Sequence, residues 1–254
     1  MGQKEESKEM KILLLDIESS PNTAHVWGLW QQNVSLNQLM ESSYVLCYAA
    51  KWLGEKEMFF DSVHQSKPKK MLKGIHALLN DADAVIHYNG TKFDMPTLNK
   101  EFLLHRLNPP SPYQQIDLLR TVRSNFRFPS NKLDYVAQRL GLGKKQEHEG
   151  HELWVKCMNG DKDAWKRMEK YNVQDVVLLE SLYNSLLPWI QNHPNRNLWD
   201  DRGVCPTCGE AKLEKNGQRS TTTGTYQRYK CKCCGTWSQG TKLLKPSVTI
   251  KGVK

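Results

Sequence analysis

The chain has 254 residues, of which 39% are hydrophobic and 25% are charged, proportions that are ordinary for a globular protein with a buried core. No stretch approaches the roughly 20 apolar residues that span a bilayer, and residues 1–11 are charged and lack the apolar core of a signal peptide. We therefore expect a cytoplasmic protein without a membrane partner.

Positive charge is concentrated towards the C-terminal end. Residues 196–254 contain 12 Lys and Arg against 4 Asp and Glu, and so carry nearly all of the overall net charge of +9. A basic module beside a near-neutral domain favours a polyanionic partner, which the basic module would contact. The alternative is a basic tail that only keeps the protein in solution.

In chain order, the apolar pattern predicts strands first and then strands that alternate with helices. Short continuous apolar runs are typical of buried strands, whereas apolar residues at helical spacing are typical of a helix with one buried face. This order predicts an α/β domain, a mixed sheet flanked by helices. The predicted strands are 11–18, 24–30, 44–52, 57–63, 84–88 and 116–119, and the predicted helices are 68–79, 95–107, 133–140 and 164–187.

Acidic side chains occupy the ends and faces of these predicted elements. Asp16 and Glu18 end the first strand and, being two residues apart, point to the same face. Asp94 follows a later strand, and Asp175 lies on the last helix, four residues after Tyr171. Taken singly, each feature is also typical of a solvated surface. Together they favour a site for Mg²⁺ or Mn²⁺, which prefer oxygen ligands.

Three segments, 16–18, 88–96 and 171–175, resemble the three motifs of the DEDD exonucleases, in particular the proofreading domains of family B DNA polymerases and their stand-alone relatives. The resemblance extends over residues 11–187. Tyr171 stands four residues before the last aspartate, and Lys170 occupies the position of the histidine in the sister subclass. The chain therefore resembles the tyrosine subclass, which implies a ribonuclease H-like fold.

The resemblance also implies a role for each motif residue. Asp16, Glu18 and Asp175 would hold the metal ion that activates the attacking water, and Asp16, supported by Asp94, would bridge to a second ion. Tyr171 would orient the water. The implied cofactors are two Mg²⁺ or Mn²⁺ ions. The residues implied to position the terminal nucleotides are Asn89 and Phe93.

Two cysteine pairs in the basic part have the spacing of zinc knuckles. Cys205 with Cys208, and Cys231 with Cys234, each form a Cys-x-x-Cys-Gly sequence, and 22 residues separate the two pairs. Two such knuckles joined by a hairpin predict a zinc ribbon, in which four cysteines hold one structural Zn²⁺ on which this small module depends for folding. Cys233 is the spare thiol.

Basic and aromatic side chains alternate in the predicted ribbon. Phosphate neutralisation combined with base stacking suits single-stranded nucleic acid. A structural cap or a protein-docking module is the alternative. The predicted nucleic-acid-binding residues of the ribbon are Arg228, Lys230 and Trp237.

Several other aromatic residues are interpreted as packing or supporting residues. His87 is in an apolar strand, and we interpret it as a core or supporting histidine. The tryptophans predicted to pack in the core or between domains, rather than to stack on bases, are Trp27, Trp30, Trp154 and Trp165.

Together these features predict a two-metal-ion 3′→5′ exonuclease that shortens DNA, preferably single-stranded, alone or with a polymerase or other replication protein in trans. An exonuclease acting on RNA is one alternative, and a non-catalytic adaptor for nucleic acid or a replication protein is another. Metal-dependent cleavage discriminates the enzymes from the adaptor. The predicted domains are a polar leader (1–10), an exonuclease domain (11–193), a linker (194–203) and a zinc ribbon with a basic tail (204–254).

Overall fold

The structure, a computed structural model, describes residues 10–146, 149–200 and 202–246. Nearly all of the predicted leader and the end of the predicted basic tail lie outside these residues. The chain forms two compact units, which are Lys11–Tyr183 and a second unit of Met10 with the described residues from Asn184 onward.

The first unit is built on a five-stranded mixed sheet. The strands of this unit are β1 (Ile12–Ser19), β2 (Thr23–Ala24), β3 (Leu39–Glu41), β4 (Val45–Trp52), β5 (Phe59–Ser62), β6 (Ala84–His87) and β7 (Gln114–Asp117). The helices are α1 (Pro68–Asp81), α2 (Asp94–Leu104), α3 (Leu118–Asn125), α4 (Leu133–Arg139), α5 (His151–Met158) and α6 (Lys162–Leu186). The strand order in the sheet is β5-β4-β1-β6-β7, and the central β1 pairs antiparallel with β4 and parallel with β6. The predicted mixed sheet flanked by helices is therefore confirmed.

The alternation of side chains along β1 separates the core from the acidic residues. Leu13 on one face packs with Leu72 of α1 and Phe102 of α2. The opposite face carries Asp16 and Glu18 and is turned towards α6. Because side chains alternate along a strand, a register slip of one residue would bury both carboxylates among leucines.

The predicted strand at 24–30 is wrong beyond its first residue. Only Thr23–Ala24 is extended, paired with Leu39–Glu41, and residues 25–38 form a hairpin arm with its own hydrogen bonds. Trp27 and Trp30 on this arm are exposed, so the prediction that they pack is also wrong. The cause is local, because the arm returns on itself through Gln31, whose φ of 50° is incompatible with an extended strand.

The packing predicted for the other two tryptophans is confirmed, since Trp165 is buried and Trp154 packs against the same core cluster. Helices α3 and α5 were not predicted. The predicted strand 116–119 is wrong at its last two residues, because β7 ends at Asp117 and α3 begins at Leu118.

The second unit contains a three-stranded antiparallel sheet. Its strands are β8 (Leu213–Ser220), β9 (Gly224–Cys231) and β10 (Trp237–Pro246), in the order β10-β9-β8. The hairpin predicted between the cysteine pairs corresponds to β8 and β9, whereas β10 was not predicted. No helix in the described part of the chain is both long and apolar enough to cross a membrane.

Candidate active site

Carboxylates from β1 and α6 meet on one face of the central sheet. Oxygens of Asp16, Glu18 and Asp175 all lie within 4.8 Å of one another. Asp94, at the first position of α2, accepts a hydrogen bond of 3.2 Å through Oδ1 from the backbone N–H of Ile17, which lies between the two acidic residues of β1. The four predicted carboxylates are therefore assembled from three separate elements.

The electrostatics of this cluster fit a divalent cation. Burial and the repulsion of neighbouring carboxylates raise the pKa of Asp16 well above its usual value, and the same causes raise the pKa of Glu18 to about 8. Burial also raises the pKa of Asp94 to about 7. Carboxylates are costly to ionise together without a cation, and an oxygen-only donor set suits Mg²⁺ or Mn²⁺.

Lys145 supplies a positive charge inside the cluster. Its Nζ donates to Oδ2 of Asp175 and, at 3.1 Å, to the hydroxyl of Tyr171. Burial alone would lower the pKa of Lys145, but the nearby Asp175, Tyr171 and Asp16 raise it above its usual value, so the ammonium stays charged. No sequence pattern pointed to this residue, because it lies in an aperiodic loop between α4 and α5.

Tyr171 is almost completely buried beside the carboxylates. Its ring meets that of Trp154 edge-on, with the centroids 6.0 Å apart. Burial and the charge of Asp175 raise the pKa of the phenol above its usual value, so it remains protonated at neutral pH. Such a group can donate a hydrogen bond and orient a water molecule, but it is a poor general base.

Two further side chains hold the acidic residues of β1 in place. Asn172, completely buried on α6, donates through Nδ2 to Oδ2 of Asp16 at 2.7 Å. Trp154 of α5 hydrogen-bonds to the carboxylate of Glu18. Neither contact is predicted by the sequence pattern, although Asn172 is adjacent to the predicted Tyr171.

The residues implied to position nucleotides lie in the turn between β6 and α2. Asn89 has a φ of 69°, and its backbone N–H donates to Oδ1 of Asp117 at 3.0 Å, so the end of β7 fixes this turn. Phe93 is 46% exposed and immediately precedes α2, which begins at Asp94. An exposed ring next to a carboxylate of the cluster is accessible to a base.

His87 has the supporting role predicted for it. Its completely buried ring accepts a hydrogen bond of 3.0 Å at Nδ1 from the N–H of Gly90, and Nε2 lies 3.1 Å from Oε1 of Gln115. Burial lowers the pKa of the imidazole, which is therefore neutral. Gly90 is required here, because a Cβ at this position would lie 2.4 Å from Cγ of His87.

The four predicted zinc ligands also converge. Sγ of Cys205 lies 3.7 Å from that of Cys234, and Sγ of Cys208 lies 3.6 Å from that of Cys231. These separations are too long for disulfides and match the ~3.8 Å expected between two thiolates that bind one tetrahedral Zn²⁺ at about 2.3 Å. Cys233 is exposed and outside the cluster.

The three residues of the second unit that were predicted to bind nucleic acid form one surface cluster. Trp237 of β10 pairs with Lys230 of β9, and its ring lies 5.6 Å from Nζ of that lysine and 4.6 Å from the guanidinium carbon of Arg228. Two cations beside a half-exposed indole can neutralise phosphates next to a base-stacking surface.

Comparisons with known proteins support the fold. The model of the RNase_H superfamily (RNase_H_2) matches residues 14–187. The structure is similar to that of the family B DNA polymerase from the hyperthermophilic archaeon Pyrobaculum calidifontis, with a TM-score of 0.52 and 16% sequence identity. The match covers 85% of this chain and 32% of the polymerase, so this chain spans about a third of the polymerase's length. No curated protein sequence matches the chain.

Proposed function

Because the chain belongs to the RNase H superfamily, we propose that it is a metal-dependent nuclease that removes nucleotides from the 3′ end of DNA, with single strands preferred. The observation that carries the proposal is the cluster of Asp16, Glu18 and Asp175, whose oxygens lie within 4.8 Å on the scaffold of that superfamily. The 3′→5′ direction rests on the resemblance of the acidic motifs to those of DEDD exonucleases of the tyrosine subclass.

The four carboxylates, Asp16, Glu18, Asp94 and Asp175, would hold two Mg²⁺ or Mn²⁺ ions. Bound ions of this kind supply a nucleophile at neutral pH and stabilise the departing oxygen. Tyr171 orients the attacking water with its protonated hydroxyl.

Asn172 supports this arrangement, whereas the ammonium of Lys145 neutralises Asp175 when no metal ion is bound. The ammonium of Lys145 offsets part of the negative charge and donates to the Tyr171 hydroxyl at 3.1 Å. Asn172 keeps the Asp16 carboxylate in one orientation. The terminal nucleotides would lie against Asn89 and Phe93, at the turn that Asp117 fixes.

The second unit would be a zinc ribbon that helps to hold the substrate. Arg228 and Lys230 contact phosphates and Trp237 stacks on a base, so this surface adds affinity without sequence specificity. Replacing both cations by glutamine would reduce the salt dependence of binding by about 1.4 in log–log slope, since each phosphate contact on a single strand contributes about 0.7. The exposed pair Lys69 and Lys70, replaced in the same way, is the control.

The direct test uses a 5′-labelled single-stranded DNA and an RNA of the same sequence. Each is incubated with protein in Mg²⁺, in Mn²⁺ and in EDTA, and with an Asp16→Ala variant. We expect a ladder that shortens from the 3′ end of the DNA, absent with EDTA and with the variant.

Other outcomes of that test discriminate the alternatives. A ladder on RNA alone would identify an RNA exonuclease, and internal cuts would identify an endonuclease. If zinc-loaded protein cleaved neither strand, the catalytic proposal would be wrong, and an adaptor for nucleic acid or for a polymerase in trans would account better for the chain.

A further inference from the structure

The hairpin arm between β2 and β3, residues 25–38, carries an unusual density of exposed apolar side chains. Trp27 is 99% exposed and Trp30 is 85% exposed. Exposed apolar surface concentrated in one segment marks a binding site, whereas single exposed residues are ordinary. The other exposed large apolar residues on or next to the arm are Val26, Leu29, Val34, Leu36 and Met40.

Hydrogen bonds close the base of the arm and order its returning segment. The N–H of His25 donates to the carbonyl of Gln38 at 2.9 Å, and the side-chain amide of Gln38 donates to the carbonyl of His25 at 3.0 Å. Ser35 and Gln38 form a reciprocal capping arrangement at a short 3-10 turn. Trp27 and Trp30 lie in the bend beyond these hydrogen bonds, where the side-chain amide of Gln32 donates to the carbonyl of Trp30 at 2.8 Å.

The base of the arm is fixed to the elements that carry the carboxylates. The N–H of Ser20, just after β1, donates to the carbonyl of Tyr44 at 2.9 Å, and the N–H of Ser43 donates to Asn22 at 2.7 Å. Nζ of Lys100, on α2, donates to the carbonyl of Ser43. The arm therefore leaves the sheet at the edge where β1 ends, which is also where the parallel strand β6 leads into the turn before α2.

The chemistry of the arm suits unpaired bases. Residues 19–40 contain no Lys, Arg, Asp or Glu, so the arm neither repels nor neutralises a phosphate backbone and would contact the bases alone. Indoles stack on any base, and the amides of Gln31, Gln32 and Asn33 can hydrogen-bond to base edges. Bases of a single strand are themselves exposed and uncharged, which matches an apolar surface without charge.

We propose that the arm binds the single-stranded stretch of the substrate that precedes the terminal nucleotides, with bases stacked on Trp27 and Trp30. This inference rests on the proposed function, since it takes the strand end to lie at the carboxylate cluster. The arm would extend the substrate-binding surface beyond Asn89 and Phe93. A long strand would therefore gain affinity from the arm, and a trinucleotide would not.

The test compares a Trp27→Ala/Trp30→Ala variant with a Leu103→Ala/Leu104→Ala control, which removes two exposed apolar side chains at the far end of α2. Hydrolysis of a trinucleotide and of a single-stranded 15-mer is measured in Mn²⁺. Since loss of one stacked base commonly costs tenfold or more in affinity, we expect kcat/KM on the 15-mer to fall by about 10- to 100-fold. The trinucleotide rate and both rates of the control should stay within about twofold of wild type.

Binding measured without hydrolysis separates this inference from the proposed function. Fluorescence anisotropy of a labelled 15-mer with Asp16→Asn protein should show the same loss when both tryptophans are removed, even if the wild type cleaved nothing. Equal affinity with and without the tryptophans would overturn the inference while leaving the exonuclease intact. Light scattering tests a further outcome. If the wild type were a dimer, the tryptophan variant a monomer and the strand affinity unchanged, the inference would also be overturned. The arm would then form contacts between copies of the chain.

Discussion

Asn172 contacts Asp16 at two points, because its Nδ2 lies 2.7 Å from the carboxylate Oδ2 and 3.3 Å from the backbone carbonyl of the same residue. One buried amide thus ties both the side chain and the strand backbone of Asp16 to α6. The helix that carries Asp175 thereby sets the orientation of a carboxylate on β1. The spacing between two of the proposed ligands depends on this contact.

Replacing Asn172 by alanine should weaken binding of Mn²⁺ by about 10- to 100-fold, the usual effect of removing a group that orients a metal ligand. Calorimetric titration of Mn²⁺ into protein without other added divalent ions measures the change. Ser181→Ala, which removes a hydrogen bond to Val177 within the same helix, should leave the affinity unchanged. Unaltered Mn²⁺ affinity in a folded Asn172→Ala protein would contradict the orienting role.

Lys145→Met should raise the affinity for Mn²⁺ by roughly tenfold, because it removes a unit positive charge that is bound to Asp175. The same substitution should lower the melting temperature of the metal-free protein, since the carboxylates lose their neutralising partner. Lys73, exposed on α1, replaced in the same way, should change neither quantity. A fall in Mn²⁺ affinity would show that the ammonium helps to assemble the site and does not compete for it.

Without Mg²⁺ or Mn²⁺, the protein should become less stable as the pH rises from 7 to 9. The pKa of Glu18 is about 8 in the folded protein, above its usual value, so the folded state holds a proton that the unfolded state has released. For one group the slope approaches about 1.4 kcal/mol per pH unit near pH 7, where only the folded state holds the proton, and it falls towards zero at pH 9 as that proton dissociates.

Urea denaturation at pH 7, 8 and 9 measures this slope, in buffer without chelator so that zinc is retained. A Glu18→Gln protein should have a distinctly smaller slope, and saturating Mn²⁺ should remove most of it. Identical slopes in the wild type and the variant would refute the assignment to Glu18.

Purified protein should contain one zinc ion per chain, and Cys231→Ser should abolish it. Cys233→Ser is the matched control, because this thiol is two residues away but exposed and outside the cluster. Mass-spectrometric metal analysis measures the zinc content of the wild type and of the two variants. Loss of zinc from the Cys233→Ser protein would mean that the ligand set is wrong.

The sequence was sufficient for the parts of the fold that repeat a pattern. The apolar run of β1 and the helical spacing in α1 and α6 predicted those elements within about two residues. Together with the superfamily match over residues 14–187, the sheet confirms the predicted ribonuclease H-like α/β fold. The predicted carboxylates lie on β1, at the start of α2 and within α6, and the fold brings these three elements together.

The features that the sequence pattern did not predict depend on contacts between distant segments. Lys145 reaches Asp175 from an aperiodic loop, and Asn172 differs from a surface asparagine only by what faces it. The exposure of Trp27 and Trp30 was equally hidden, since apolar residues next to a buried strand are usually buried themselves. In each case, the neighbouring residues in the sequence do not determine which distant segment packs against the side chain.

The close approach of Gly90 to His87 has a consequence for the history of the sequence. Since a Cβ at position 90 would overlap the imidazole, residues 87 and 90 cannot be substituted independently during evolution. Relatives that carry a larger residue at position 90 should also have replaced the histidine by a smaller side chain, and intermediates with only the first change should be rare. The turn that presents Asn89 and Phe93 would thus be inherited as a linked pair of residues.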